Sequence, residues 1–230
     1  QYYLPIGTYY NYSFTEQLYL ASELGQIDGT IPCIAFQYIY STPQDKDIVI
    51  YMGNTSKSSF SNGSDWISVS NMQQVFNGTA NFNTNDPDGW VNIPLDFAFE
   101  YDGSSNIVIA VLNNSGSYLN SSNTFNTHSA SGKSIYVQQD GSAYNVHNLP
   151  SGSTYSYRNN IRFLIREPVS CGLPAALTVS DVTTNSAVIS WAYNEEHSGY
   201  ELTIVPAGST FDDETTLQLS DTAYEVFDLT

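Results

Sequence analysis

Apolar side chains in this chain recur at every second residue, in short runs bounded by Gly, Asn, Asp and Ser. Successive side chains of an extended strand point to opposite faces, so this rhythm builds sheets and cannot build an amphipathic helix. Thr30–Tyr40 sets Ile34, Phe36, Tyr38 and Tyr40 on one face and Cys33, Ala35, Gln37 and Ile39 on the other. Asp47–Met52 and Asn106–Leu112 are apolar on both faces, as central strands are. The same reading predicts strands at Phe14–Leu20, Gln74–Phe82, Trp90–Leu95, Ser134–Gln138 and Asn160–Arg166. Asn62-Gly63, Asn77-Gly78, Asp88-Gly89, Asp102-Gly103 and Asp140-Gly141 are the turns between them. Ala21–Gly25 and Ser70–Gln74 hold one helical turn each at most. Roughly eight to ten strands with medium loops imply an all-β fold, a jelly-roll-like two-sheet sandwich.

Composition agrees, because 18 Tyr and 11 Phe suit a half-buried sheet surface and helix formers are sparse. Six Lys+Arg stand against 23 Asp+Glu, a net charge of −17 with a pI near 4.1. Such a surface repels phosphate backbones and anionic lipid, so no nucleic acid is expected as a partner. Ile107–Leu112, the longest apolar run, is far too short to span a bilayer, and no membrane insertion is expected. The opening QYYLPIG lacks a signal peptide's basic and apolar regions, which leaves a removed leader or a start partway into a longer chain. Two cysteines and abundant Ser, Thr and Asn suit an exported protein held by sheet packing rather than by disulfides.

No catalytic residue stands out. His128, His147 and His197 are dispersed outside any zinc motif. Serines in SGSTYS and DGSAYN read as loop residues, with no nucleophile elbow. Most acids, Asp45, Asp65, Asp102 and Asp140 among them, fall in turns rather than facing each other across a cleft. Asn83, Asn85, Asp86 and Asp88 crowd oxygen ligands into one loop, so a structural Ca is the single cofactor the sequence suggests. A plain turn explains the same letters. Trp66, Trp90, Tyr118 and Tyr144 are candidates for stacking on sugar faces, although Trp66 and Trp90 also begin alternating runs and suit a core. Arg158, Arg162 and Arg166 are half of the basic residues, and even spacing places them on one strand face. They are candidates for binding an anion, or for pairing with the surplus carboxylates. Cys33 reads as a small core residue.

The strand NNIRFLIR ends at Glu167-Pro168, and PVSCGLP follows as a short rigid linker. This divides the chain into a module at 1–168 and a second domain at 169–230. From Cys171 on, LPAALTVSDVTTNSAVISWAYNEEHSGYELTIVPAG and TAYEVFDLT resemble a fibronectin type III (Ig-like) domain. The resemblance puts Leu177 and Val179 on strand A, and Ala187, Ile189 and Trp191 on strand B. It puts Tyr200, Leu202 and Ile204 on strand C, and Tyr224, Val226 and Leu229 on strand E, with Trp191 as the family's buried tryptophan. It also implies that Cys171 pairs with a cysteine on the family's last strands; a bond to Cys33 is the other possibility. Those last strands lie beyond Leu229, so the match is partial. A longer chain, proteolysis, or a partner chain supplying missing strands each account for that.

As a whole, residues 1–168 are similar to modules of large secreted proteins of Bacteroidota, through SFTEQLYLASELG, GWVNIPLDFAFEYDGSSNIVIAV and YRNNIRF. Those proteins are surface adhesins, haemagglutinin-like proteins or hydrolases with accessory modules, often exported by the type IX route. The resemblance implies an extracellular or cell-surface, non-catalytic binding module that meets a host or environmental glycan or protein. An accessory or spacer module of a secreted hydrolase and a subunit of a surface fibre are the alternatives.

Overall fold

The computed structural model describes residues 3–25, 27–119, 124–166, 174–193, 199–205 and 215–228. Cys171, His197, Leu229 and the Glu167-Pro168 boundary lie outside them. The chain divides into two units, Gln1–Glu167 and Pro168–Thr230. Both are all-β.

In the first unit, β1 (Tyr12–Tyr19), β3 (Gln44–Thr55), β4 (Gln73–Phe82), β6 (Asn106–Asn113), β7 (Thr127–Gln139) and β8 (Ser153–Asn159) form a six-stranded sheet. Its order is β4-β3-β6-β1-β7-β8. A three-stranded sheet, β5-β2-β9, joins β5 (Trp90–Tyr101), β2 (Gly29–Gln37) and β9 (Ile161–Arg166). All the pairings are antiparallel. The alternation read from the sequence now has a destination. Ile31, Ile34 and Phe36 of the small sheet meet Ile48, Ile50, Met52, Ile107, Ile109 and Val111 of the large one in one core. The two faces of a sandwich bury each other this way, each inward residue contributing roughly 1.5–3 kcal/mol.

β6 explains why a central strand is apolar throughout. Its other face carries Val108, Ala110 and Leu112, also buried. Segments 56–72 and 140–152 lie over that face: Phe60, Trp66, Ile67, Val69 and Met72 from the first, Tyr144, Val146 and Leu149 from the second. The segments are tied together. Gly152 N–H donates to Gly63 O at 2.7 Å, and the Trp66 indole N–H donates to Pro150 O at 3.0 Å. A Cβ on Gly63 would lie 2.0 Å from Gly152 O, so this crossing admits no side chain.

The YRNNIRFLIR segment corrects a sequence expectation. It is two strands, with Arg158 on β8 in the large sheet and Arg162 and Arg166 on β9 in the small one. The chain changes sheet at Asn160, so the even spacing does not place the three arginines on one face.

The second unit pairs β10 (Thr178–Ser180), β11 (Ser186–Ser190) and β14 (Ala223–Phe227) in the order β10-β11-β14. β12 (Tyr200–Ile204) pairs with β13 (Thr215–Leu219). β10, β11, β12 and β14 lie where the sequence leads one to expect strands, with Leu177 and Trp191 just outside β10 and β11. Trp191 is buried against Tyr200, ring centroids 5.4 Å apart.

One buried group opposes this packing. Glu16 of β1 is fully buried, between Ala110 and Ile135 on the neighbouring strands. It accepts the Ile67 N–H at 2.9 Å, and its Oε1 has no hydrogen-bond partner. Burial pushes its carboxyl up to about 8 from an ordinary 4.5. The folded state thus keeps a proton that the unfolded chain loses. Stability is full below about pH 4.5 and falls as pH rises towards about 8. The slope is at most about 1.4 kcal/mol per pH unit. Urea denaturation across that window is expected to show this decline in the native chain and a flatter profile in E16Q; identical profiles would remove Glu16 as its source. Independently, G63A is expected to cost about 1–3 kcal/mol through overpacking. G141A is the control, since nothing lies within 4 Å of a Cβ there.

Candidate functional site

At the β8–β9 side of the first unit the two sheets border an open cavity of about 350 Å³, within the ~300–1,000 Å³ range of small-molecule sites. Its apolar lining is Tyr19, Leu24, Trp90, Ile161 and Phe163; its polar lining is Glu23, His128, Arg158, Asn159 and Asn160. The sheet change at Asn160 assembles it. Tyr19 closes β1, Arg158 and Asn159 end β8, and Ile161 and Phe163 begin β9, so strand ends from both sheets meet there.

Arg158 organises the polar side. Its guanidinium, only 4% exposed as a residue, pairs with Glu23 through two hydrogen bonds of 2.8 Å and donates to Leu18 O at 2.6 Å. It lies 4.4 Å over the Tyr19 ring. This two-pronged pairing holds the Glu23 carboxyl down at about 2. The carboxylate also accepts the Leu20 N–H, which fixes the Ala21–Glu23 turn beneath it. Burial pushes the Tyr19 hydroxyl well above the ordinary phenol range; that hydroxyl donates to Asn159 O at 3.2 Å.

A hydrogen-bond chain runs round the rim. An arginine only donates, so His128 Nε2 accepts from Arg158 at 3.0 Å. His128 Nδ1 therefore carries the proton and donates to Asn160 Oδ1, also at 3.0 Å. Asn160 donates to Gln37 Oε1, and Gln37 donates to Asp88 O in the turn that leads into Trp90. On β9, the Arg162 guanidinium lies 4.2 Å from the Trp90 ring, a cation–π contact.

Of the sequence candidates, Trp90 and Arg158 line the cavity, and Arg162 touches the Trp90 ring without lining it. Arg158 is engaged by Glu23, the pairing alternative rather than an open anion site. Arg166 sits at the other end of β9, opposite Thr30. Trp66 and Tyr144 pack on the outer face of the large sheet, with Trp66 5.5 Å from the Phe14 ring. Tyr118 is 57% exposed and does not line the cavity. The stacking candidates thus form no common platform. In the loop offered to calcium, Asn83 Oδ1 accepts the Asn85 N–H, and Asp86 Oδ1 accepts the N–H groups of Asp88 and Trp90. These oxygens cap a turn, and among the described residues no group of three His, Cys, Asp or Glu is placed to hold a metal. Tyr19, Glu23, His128, Asn159, Asn160 and Phe163 were not singled out as site residues in the sequence. Only Glu23 carried a local signal, as the acid closing a short turn.

Replacing Arg158 by Met is expected to return the Glu23 carboxyl to the ordinary range, read by NMR titration. Stability should fall by roughly 1–3 kcal/mol through the lost charged hydrogen bonds. An unmoved Glu23 would show that another group holds it. The chain matches no protein-family model and no curated protein, so the cavity's own chemistry bears the functional argument.

Proposed function

We propose that the first unit is a non-catalytic, extracellular binding module that seats a sugar residue of a host or environmental glycan in the Trp90 cavity. One observation carries this reading: aromatic surfaces of Trp90, Tyr19 and Phe163 converge with the planar hydrogen-bonding groups of Arg158, Glu23, His128 and Asn160. A sugar offers both complements, an apolar ring face of C–H groups and a rim of hydroxyls that donate and accept. Glu23 is the one carboxylate in the lining, and Arg158 keeps it ionised, so this cavity holds no pair of carboxylates set for glycoside hydrolysis. Binding and orientation are the chemistry such a cavity offers.

The similarity to Bacteroidota surface and secreted proteins supports placing this module at the cell surface, as part of a multidomain adhesin or as an accessory module beside a hydrolase. The net charge of −17 disfavours anionic partners such as nucleic acid. No helix among the described residues is long and apolar enough to cross a membrane. A second reading, a subunit of a surface assembly, is favoured by the second unit's apolar exposure: Leu177 is 65%, Val182 70% and Phe227 62% exposed. A chain that stays monomeric in size-exclusion chromatography at high concentration would count against it.

A glycan array probed with the whole chain tests the first reading. Binding to a defined sugar is expected, lost at least tenfold in W90A and retained in Y118A. A blank array, or binding indifferent to W90A, would sink the cavity as the site.

A further inference from the structure

The lining of the Trp90 cavity holds one guanidinium and one carboxylate, and a ligand does not meet them equally. Every N–H on the two terminal nitrogens of Arg158 is spent. Nη1 donates to Leu18 O at 2.6 Å and to Glu23 Oε2 at 2.8 Å. Nη2 donates to Glu23 Oε1 at 2.8 Å and to His128 Nε2 at 3.0 Å. The remaining N–H, on Nε, is buried away from solvent. His128 is spent too, its other ring nitrogen donating to Asn160. The Glu23 side chain is 41% exposed, against 5% for that of Arg158. Glu23 Oε1 accepts from Arg158 alone, which leaves it a lone pair. Asn160 gives one amide N–H to Gln37 and keeps the other.

We infer that the cavity selects uncharged sugars, and that Glu23 is the residue that sets this selection. The inference rests on the sugar reading of the cavity and names the class of sugar. Glu23 accepts a ligand hydroxyl, Asn160 donates to one, and acidic and amino sugars are turned away.

The hydrogen-bond ledger gives the reason. An arginine in a cavity ordinarily suggests an acidic ligand. Here the charge that faces outward is the carboxylate, held ionised by its pairing with Arg158. A ligand carboxylate reaches Arg158 only by displacing Glu23, which exchanges one acid for another and leaves Glu23 unpaired. A ligand ammonium fares no better. Arg158 already balances Glu23, and the rings that would receive a cation already carry one each. Arg158 lies 4.4 Å from the centre of Tyr19, and Arg162 4.2 Å from that of Trp90. Arg162 itself lies outside the lining and brings no positive charge into it. A hydroxyl suits both open groups, because it donates and accepts.

Matched sugars titrated into the whole chain test this. Methyl glycosides of glucose, galactose and mannose are compared with the methyl uronate and the methyl 2-amino-2-deoxy sugar of each series. The reporter is the Trp90 indole N–H in NMR spectra, assigned by its loss in W90F. The neutral member of at least one series is expected to shift this signal, with its acid and amine weaker by about tenfold or more. The selection should persist in about 1 M salt, which screens a distant surface charge but not groups in contact. Selection that disappears in salt belongs to the net charge of −17 and overturns the role of Glu23. E23Q, which frees Arg158 donors and removes the anion, is expected to bring the acid to within about threefold of its neutral partner. An E23Q chain that binds the neutral sugar and still rejects the acid also overturns that role. A native chain that binds an acid or amine as tightly as its neutral partner overturns the selection and leaves the sugar reading standing. A Trp90 signal that answers to no sugar of any series sinks both.

Discussion

The first unit depends on burying both faces of its six-stranded sheet. A sandwich needs one apolar face per sheet, and the large sheet has two. β6 carries Ile107, Ile109 and Val111 towards the small sheet and Val108, Ala110 and Leu112 away from it. Left in water, the second face would forfeit the hydrophobic gain of three strands' worth of side chains. Segments 56–72 and 140–152 cover it without being strands, and their backbones meet so closely at Gly63 and Gly152 that only glycine fits. Trp66 is the clasp, packed on Phe14 and hydrogen-bonded to the opposite segment.

The two polar clusters of this unit follow from that layering. The Trp90 cavity forms at the side where the chain leaves the large sheet for the small one, because the change of sheet at Asn160 ends β8 and starts β9 within one residue. Strand ends carry polar residues, and here Arg158, His128 and Asn160 hydrogen-bond one another in a chain that reaches the turn before Trp90. The second cluster forms where segment 56–72 passes over β1. Glu16 occupies an outer-face position between Phe14 and Leu18, and the segment brings a backbone N–H to it. A carboxyl in so apolar a shell is costly to keep ionised, which is why its proton stays.

Much of this architecture was legible from residue order. The strands at Phe14–Leu20, Asp47–Met52, Asn106–Leu112 and Trp90–Leu95 are present, several of them longer than expected because pairing extends past the apolar run. β8 was not legible. STYSYRN alternates tyrosine with serine, threonine and asparagine, and its serines resemble a loop until β7 supplies the ladder of hydrogen bonds. The arginine register failed for the same reason, since spacing along a chain predicts a shared face only while the strand continues. Trp66 and Trp90 looked alike in sequence, each opening an apolar run, yet one became a clasp and the other a cavity wall.

The sequence by itself determined the all-β class, the two-unit pattern of strands and the strongly acidic surface, because side-chain alternation and formal charge are local properties of the chain. Only the tertiary structure decided which polar groups meet. Glu23 and Arg158 are 135 residues apart, and nothing in either neighbourhood specifies the other. Glu16 gave no sign of burial beyond standing in a strand, because burial depends on what covers the second face. Those meetings are set by sheet order and by the path of the covering segments, which arise from packing of the whole unit.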